Sequence, residues 1–138
     1  MTQKKRILCI EDETEMIDLI RLVLEREGGF EVSGAVGGQQ GLEAMRHNKP
    51  DLILLDLMMP GVDGWEVYRQ MKADKALMDI PVIVVTAKAQ SIDKVLGLKV
   101  AKVEDYITKP FGPKQLVESV KRVLDKSSVP SLSPNFKD

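Results

Sequence analysis

The sequence predicts an α/β fold in which a doubly wound parallel sheet lies between two layers of helices. Three observations predict it. Short apolar runs alternate strictly with segments of helical period along almost the whole chain, as a parallel sheet with crossover helices requires. Three of those runs are solidly apolar, as strands buried on both faces must be. Acidic or hydroxyl-bearing residues stand where the three runs stop, at 11–12, 56 and 86. Open α/β sheets gather their binding groups at such carboxyl ends.

The first run, I-L-C-I at 7–10, ends at Glu11, Asp12 and Glu13. Residues 14–27 follow with Met16, Leu19, Ile20 and Val23 at helical spacing, and Gly28-Gly29 stops that helix. Residues 30–36 alternate, with Phe30, Val32 and Val36 apolar, which predicts a half-exposed strand. Residues 37–48 are a second helix with Leu42 and Met45 facing inward, closed by Pro50.

The third run, L-I-L-L at 52–55, is too short for a normal helix and suits a fully buried strand. Asp56 stands at its end. Pro60-Gly61 supplies a turn, and Asp63 leads into a helix reaching about residue 76, with Trp65, Val67, Tyr68 and Met71. P-V-I-V-V at 81–85 is the fourth strand, ending at Thr86-Ala87. Residues 91–100 read as a short helix carrying Ile92, Val95, Leu96 and Val100. D-Y-I-T at 105–108 is the fifth strand, ending at Lys109-Pro110. Gly112-Pro113 opens a last helix with Leu116, Val117, Val120, Val123 and Leu124 on one stripe. The pattern stops at Ser127, so residues 1–126 form one domain and 127–138, rich in Ser and Pro, a flexible tail or linker.

Runs one, three and four are solidly apolar and belong in the centre; runs two and five are mixed and belong at the edges. That gives the order 2-1-3-4-5, a flavodoxin-like (βα)5 three-layer sandwich whose winding reverses between strands one and three.

Composition bounds the function. The chain has 138 residues, 43% hydrophobic and 30% charged, with a formal net charge of −1. There is no basic excess to draw it to nucleic acid or to an anionic membrane. No apolar run approaches the roughly 20 residues of a membrane span, and the basic N-terminus leads into no signal peptide, so the expected location is the cytoplasm. Cys9 is the one cysteine, which excludes an internal disulfide and a cysteine-built zinc site. It lies in an apolar run and reads as a buried, inert thiol. His47 reads as surface. The glycines of 34–41 do not form a dinucleotide loop, because Val36 stands where the first Gly is needed.

On the predicted frame Glu11, Asp12, Asp56, Thr86 and Lys109 converge on one shallow cleft. Three carboxylates together repel one another unless a cation joins them. Hard oxygen ligands on an open site suit Mg²⁺. The Thr86 hydroxyl and Lys109 ammonium suit an oxygen-bearing anion, such as a phosphoryl group on Asp56.

The pieces E-D-E at 11–13, D-L-M-M-P-G-V-D-G at 56–64, V-V-T-A at 84–87 and D-Y-I-T-K-P-F at 105–111 resemble the receiver domain of bacterial two-component response regulators, the chemotaxis-regulator-like family. The resemblance runs from about Lys5 to Lys126. It implies a phosphorylation-driven switch in which Asp56 accepts a phosphoryl group from a sensor histidine kinase or phosphotransfer protein. It implies that Asp12, Asp56 and the Met58 backbone carbonyl ligate Mg²⁺, with Glu11 acting through water. It implies that Lys109 pairs with the phosphoryl oxygens, that Thr86 and Tyr106 act as the switch pair, and that the Lys109-Pro110 bond is cis. The changed surface, the predicted fourth helix with the fifth strand and last helix, would signal to a downstream protein or to an output domain outside this chain. No direct binding of nucleic acid or membrane is expected. Glu104, Asp105, Glu118 and Lys121 offer both signs of charge for a dimer on that surface.

The departures from the family pattern are specific. Glu11 stands where a second Asp is frequent. Lys102, Val103 and Glu104 stand where Gly-Ala-Asp is usual, and Lys102 suits a positive-φ turn poorly. Met58 and Lys88 occupy positions that tune hydrolysis in the family. Met58 cannot orient a water by hydrogen bonding, which predicts slow loss of the phosphoryl group. Two other readings stand beside the switch. A phosphohydrolase with an aspartyl-phosphate intermediate would want a general acid at position 58. A never-phosphorylated interaction module would not need the full set of Glu11, Asp12, Asp56, Thr86 and Lys109.

Overall fold

The computed structural model describes residues 4–87 and 103–128. The elements are β1 (Arg6–Glu11), α1 (Thr14–Gly28), β2 (Glu31–Val36), α2 (Gly38–His47), β3 (Leu52–Leu55), α3 (Gly64–Lys72), β4 (Val82–Thr86), β5 (Asp105–Thr108) and α4 (Pro113–Ser128). The predicted helix at 91–100, together with Lys88 and Lys102, falls outside the described residues.

The five strands form one parallel sheet in the order β2-β1-β3-β4-β5. This is the order inferred from run composition, because a central strand in a covered parallel sheet is walled by apolar neighbours on every side. Ile7, Cys9, Leu52, Leu54, Ile83 and Val85 face one way and pack with α1 and α4. Leu8, Ile10, Ile53, Leu55, Val82 and Val84 face the other and pack with α2 and α3. The strand period of two thus divides one sheet between two cores.

Two local expectations are corrected. Leu19, placed on the inward stripe of α1, is 46% exposed, while Ile17, Ile20, Val23 and Leu24 are buried. Val36, read as an inward residue of β2, is 41% exposed, and Ala35 is buried in its place. β2 therefore does not alternate strictly, because both its faces are covered: Val32 packs in one core and Ala35 in the other. α4 continues to Ser128, two residues past the expected domain limit.

The ends of the helices follow from their sequences. Gly29 takes a left-handed φ of 71° beyond α1 and donates its amide to the Leu24 carbonyl. Asp63 caps α3 through a hydrogen bond from the Glu66 amide at 2.9 Å. No helix among the described residues is long and apolar enough to cross a membrane.

Candidate acidic phosphoacceptor site

β1 and β3 are neighbours in the sheet, with Ile10 level with Leu55. The next residues, Glu11 and Asp56, therefore leave the sheet side by side, and the Asp56 amide donates to the Ile10 carbonyl at 3.1 Å. Both side chains are buried, Glu11 at 1% and Asp56 at 4% exposure, whereas Asp12 is partly exposed. Carboxylate oxygens of Glu11, Asp12 and Asp56 lie within 4.8 Å of one another.

Among the described residues, the ammonium that reaches this cluster comes from beyond β5. Lys109 Nζ donates to Glu11 Oε1 at 2.9 Å and to Asp56 Oδ2 at 3.4 Å. Its backbone is fixed by donation from the Lys109 amide to the Thr86 carbonyl at 2.9 Å, and the following Lys109-Pro110 bond is cis, as expected. The other oxygen of Asp56, Oδ1, accepts the Met58 amide at 3.0 Å in a tight side-chain-to-backbone turn.

Among the described residues, charge at the site does not balance, since three carboxylates face one ammonium. Burial pushes the Glu11 carboxyl up to about 7; adjacent Asp56 adds to the shift and Lys109 opposes it. Burial also works against the Lys109 ammonium, but its hydrogen bond to Glu11 and the charges of Asp56 and Glu11 outweigh that, so its pKa stands above the ordinary lysine value. Glu11 Oε2 is buried with no hydrogen-bond partner among the described residues. A buried acceptor left this way is costly. The donor set is all oxygen, it carries excess negative charge and it opens to solvent at Asp12. It fits a hard divalent cation.

Thr86 ends β4, two residues beyond the Val84 that pairs with Leu55, and so lies beside the end of β3. It is fully buried, and its Oγ1 has no partner among the described residues. Tyr106, on the edge strand β5, is 46% exposed.

Two further charged residues make contacts within the chain. Asp105 is held by three groups of its own chain. Its Oδ2 accepts from Ser119 Oγ at 2.5 Å and pairs with Arg122, while Oδ1 accepts the Tyr106 amide at 2.8 Å. Glu104 ties β5 to β4: its carboxylate accepts the Val82 amide at 2.7 Å, and its own amide donates to the Val82 carbonyl at 2.9 Å. Neither role was visible in sequence, because the partners are 14 to 22 residues away. The contribution of Gly64 was also missed. A Cβ there would stand 2.3 Å from the Asp56 carbonyl oxygen.

The family profile described as response regulator receiver domain matches residues 7–121. The chain is 39% identical over 134 residues to the alkaline phosphatase synthesis transcriptional regulatory protein PhoP of Bacillus subtilis, covering 97% of this chain and 54% of that one. It is 43% identical over 123 residues to the phosphate regulon transcriptional regulatory protein PhoB of Pseudomonas aeruginosa, covering 89% and 53%. The chain thus spans about half the length of these relatives. Among solved structures, a CheY-like response regulator receiver domain protein from Methanospirillum hungatei superposes with a TM-score of 0.79 at 34% identity, over 91% of this chain and 97% of that one. The sheet order, the acidic cluster at its carboxyl ends and these matches agree, and the chain belongs to the receiver domain family of two-component response regulators.

Proposed function

We propose that Asp56 is the phosphoacceptor of this receiver and that it takes its phosphoryl group from a phosphohistidine on a sensor kinase or phosphotransfer protein. A carboxylate oxygen of Asp56 attacks phosphorus, the P–N bond to the imidazole breaks, and the departing imidazole nitrogen takes up a proton. The observation that carries this reading is the setting of Asp56. It is buried beside two other carboxylates, with Lys109 Nζ 3.4 Å from Oδ2.

The cation the site fits is read as Mg²⁺, held by Asp12, Asp56 and the Met58 carbonyl, with Glu11 acting through water. When bound, it would neutralise the charge that builds on the phosphoryl oxygens. Lys109, 3.4 Å from Asp56 Oδ2, would pair with the phosphoryl oxygens and supply the remaining positive charge. Thr86 brings a buried hydroxyl that has no partner among the described residues, suited to a phosphoryl oxygen. Tyr106 would turn inward behind Thr86. β5, α4 and the segment between β4 and β5 would then present a changed surface to a downstream protein or an output domain. Residues 1–126 are the receiver unit in this reading and 127–138 its tail. Because the kinase draws its phosphoryl group from ATP, the reading places the receiver in the cytoplasm.

Incubation with a small phosphodonor and Mg²⁺, followed by intact-mass measurement, tests the proposal. Wild type is expected to gain the mass of one phosphoryl group and Asp56→Asn none. A wild type that gains nothing, or an Asp56→Asn that gains as much, sinks it.

A further inference from the structure

We infer that Gly64 is a positioning residue for the acidic site, holding the backbone of Asp56 to Met58 from the far side of the β3–α3 loop. This rests on the reading of that site as a Mg²⁺-dependent phosphoacceptor. Gly64 is the first residue of α3, and the loop brings it back onto the strand end it left. Its amide donates to the Leu57 carbonyl at 3.3 Å. A Cβ at this position would lie 2.3 Å from the Asp56 carbonyl oxygen, 2.6 Å from Leu57 Cα and 3.0 Å from the Asp56 carbonyl carbon. All three are backbone atoms, so no side-chain rotation can relieve the contact, and either α3 or the Asp56–Leu57 peptide has to move.

The preceding peptide is fixed on the other side of Asp56, where the Asp56 amide donates to the Ile10 carbonyl of β1 at 3.1 Å. Asp56 is thus clamped between β1 and the start of α3. From that clamped backbone come the Asp56 carboxylate, the Met58 amide that meets Oδ1 at 3.0 Å and the Met58 carbonyl read as a cation ligand. A shift of a few tenths of an ångström would displace these groups together, and a small hard cation tolerates little departure from its preferred geometry.

Gly38 provides an internal control. A Cβ there would lie 2.3 Å from the Val62 carbonyl oxygen, in the same loop but away from Asp56. Gly64 and Gly38 are both buried, and neither has the positive φ found at Gly29, Gly37 and Gly61. Substitution at either brings a Cβ within 2.3 Å of a backbone carbonyl oxygen, which at 64 is that of Asp56 itself and at 38 that of Val62.

Mg²⁺ affinity by titration calorimetry, with the Met58 amide resonance followed by NMR in metal-free protein, separates the two clashes. Gly64→Ala is expected to weaken Mg²⁺ at least tenfold and to move the Met58 amide. Gly38→Ala is expected to stay within twofold of wild type and to leave that resonance in place, while its melting temperature falls comparably. Equal loss of Mg²⁺ affinity in both variants, or an unmoved Met58 amide in Gly64→Ala, overturns the inference. If Gly64→Ala does not fold, one glycine inserted after Gly61 releases α3 from the strand end without adding a Cβ. That variant is expected to lose Mg²⁺ affinity at least tenfold, and retention within twofold overturns the inference. Wild type that binds no Mg²⁺ overturns the functional reading itself, whereas the Met58 resonance still reports on the positioning.

Discussion

Met58 follows Asp56 by two residues and does different things with its two ends. Its amide holds Asp56 Oδ1 at 3.0 Å, and its thioether side chain is 53% exposed beside the site. A thioether accepts hydrogen bonds weakly and donates none, so it cannot hold a water in line for attack on a phosphoaspartate. Met58→Asn supplies an amide at the same place. It is expected to shorten the phosphoryl lifetime about tenfold, equivalent to about 1.4 kcal/mol of barrier; equal decay rates in the two proteins would remove this role.

Cys9 shows the opposite kind of residue, one whose chemistry the fold suppresses. Burial pushes its thiol up to about 12, and neighbouring Glu11 adds to the shift. The folded state keeps the proton that an unfolded thiol gives up near 9. The stability contributed by this thiol is therefore intact below pH 9 and lost as pH rises toward 12. Groups shared with Cys9→Ala cancel in a comparison. The wild-type advantage in urea unfolding is expected to shrink by about 1.4 kcal/mol per pH unit through that window. A constant difference would show that the folded thiol ionises normally.

At the scale of elements, sequence was most informative where burial leaves no choice. L-I-L-L before Asp56 could only be a strand covered on both faces, and all four residues are buried. It was least informative where an element carries more apolar residues than its core can use. α1 contains Met16, Ile17, Leu19, Ile20, Leu22, Val23 and Leu24. Several stripes satisfy a helical period in such a segment, and only the direction of the sheet selects Ile17, Ile20, Val23 and Leu24. Leu19 and Leu22 are left 46% and 51% exposed.

The edge strand β2 raises a related point. Its outward backbone groups are covered by side chains from the flanking helices. Val32 donates to Glu25 and accepts from Arg21, and Val36 donates to Gln40. These contacts occupy positions at which another strand could pair. The cap of α3 was legible because Asp precedes the helical pattern directly. Asp63→Ala is expected to lower stability by about 1 kcal/mol, read as a shift in the urea midpoint with an unchanged slope. No shift would mean that the Glu66 amide finds another acceptor.

At the scale of the whole molecule, the site depends on contacts between residues far apart in sequence. Glu11 and Lys109 are 98 residues apart and meet at 2.9 Å. The meeting requires β1, β3, β4 and β5 to lie side by side with their carboxyl ends aligned. Two cores hold that alignment, one on each face of the sheet. Lys109 is the ammonium that offsets the carboxylate charge, so removing it leaves Glu11 and Asp56 buried without a cation. Breaking a buried pair by deleting one member costs about 3 kcal/mol. Lys109→Ala is expected to melt well below wild type in a chelator. The gap should narrow when Mg²⁺ is added, because the ion supplies the missing charge and binding stabilises the folded state. A gap that does not change with Mg²⁺ would argue that the acidic cluster does not take the ion.

The sequence by itself determined the order of the strands and the identity of the groups at their carboxyl ends. Both follow from local rules: how apolar a run must be to sit in a covered sheet, and where a polar residue can stop it. Only the tertiary structure decided how those groups are satisfied. Glu11 Oε2 and Thr86 Oγ1 have no hydrogen-bond partner among the described residues. Asp105 is taken by Ser119 and Arg122, and Gly64 abuts the carbonyl of Asp56. Each of these is a matter of distance between atoms from separate elements, set by packing the two cores rather than by any one segment.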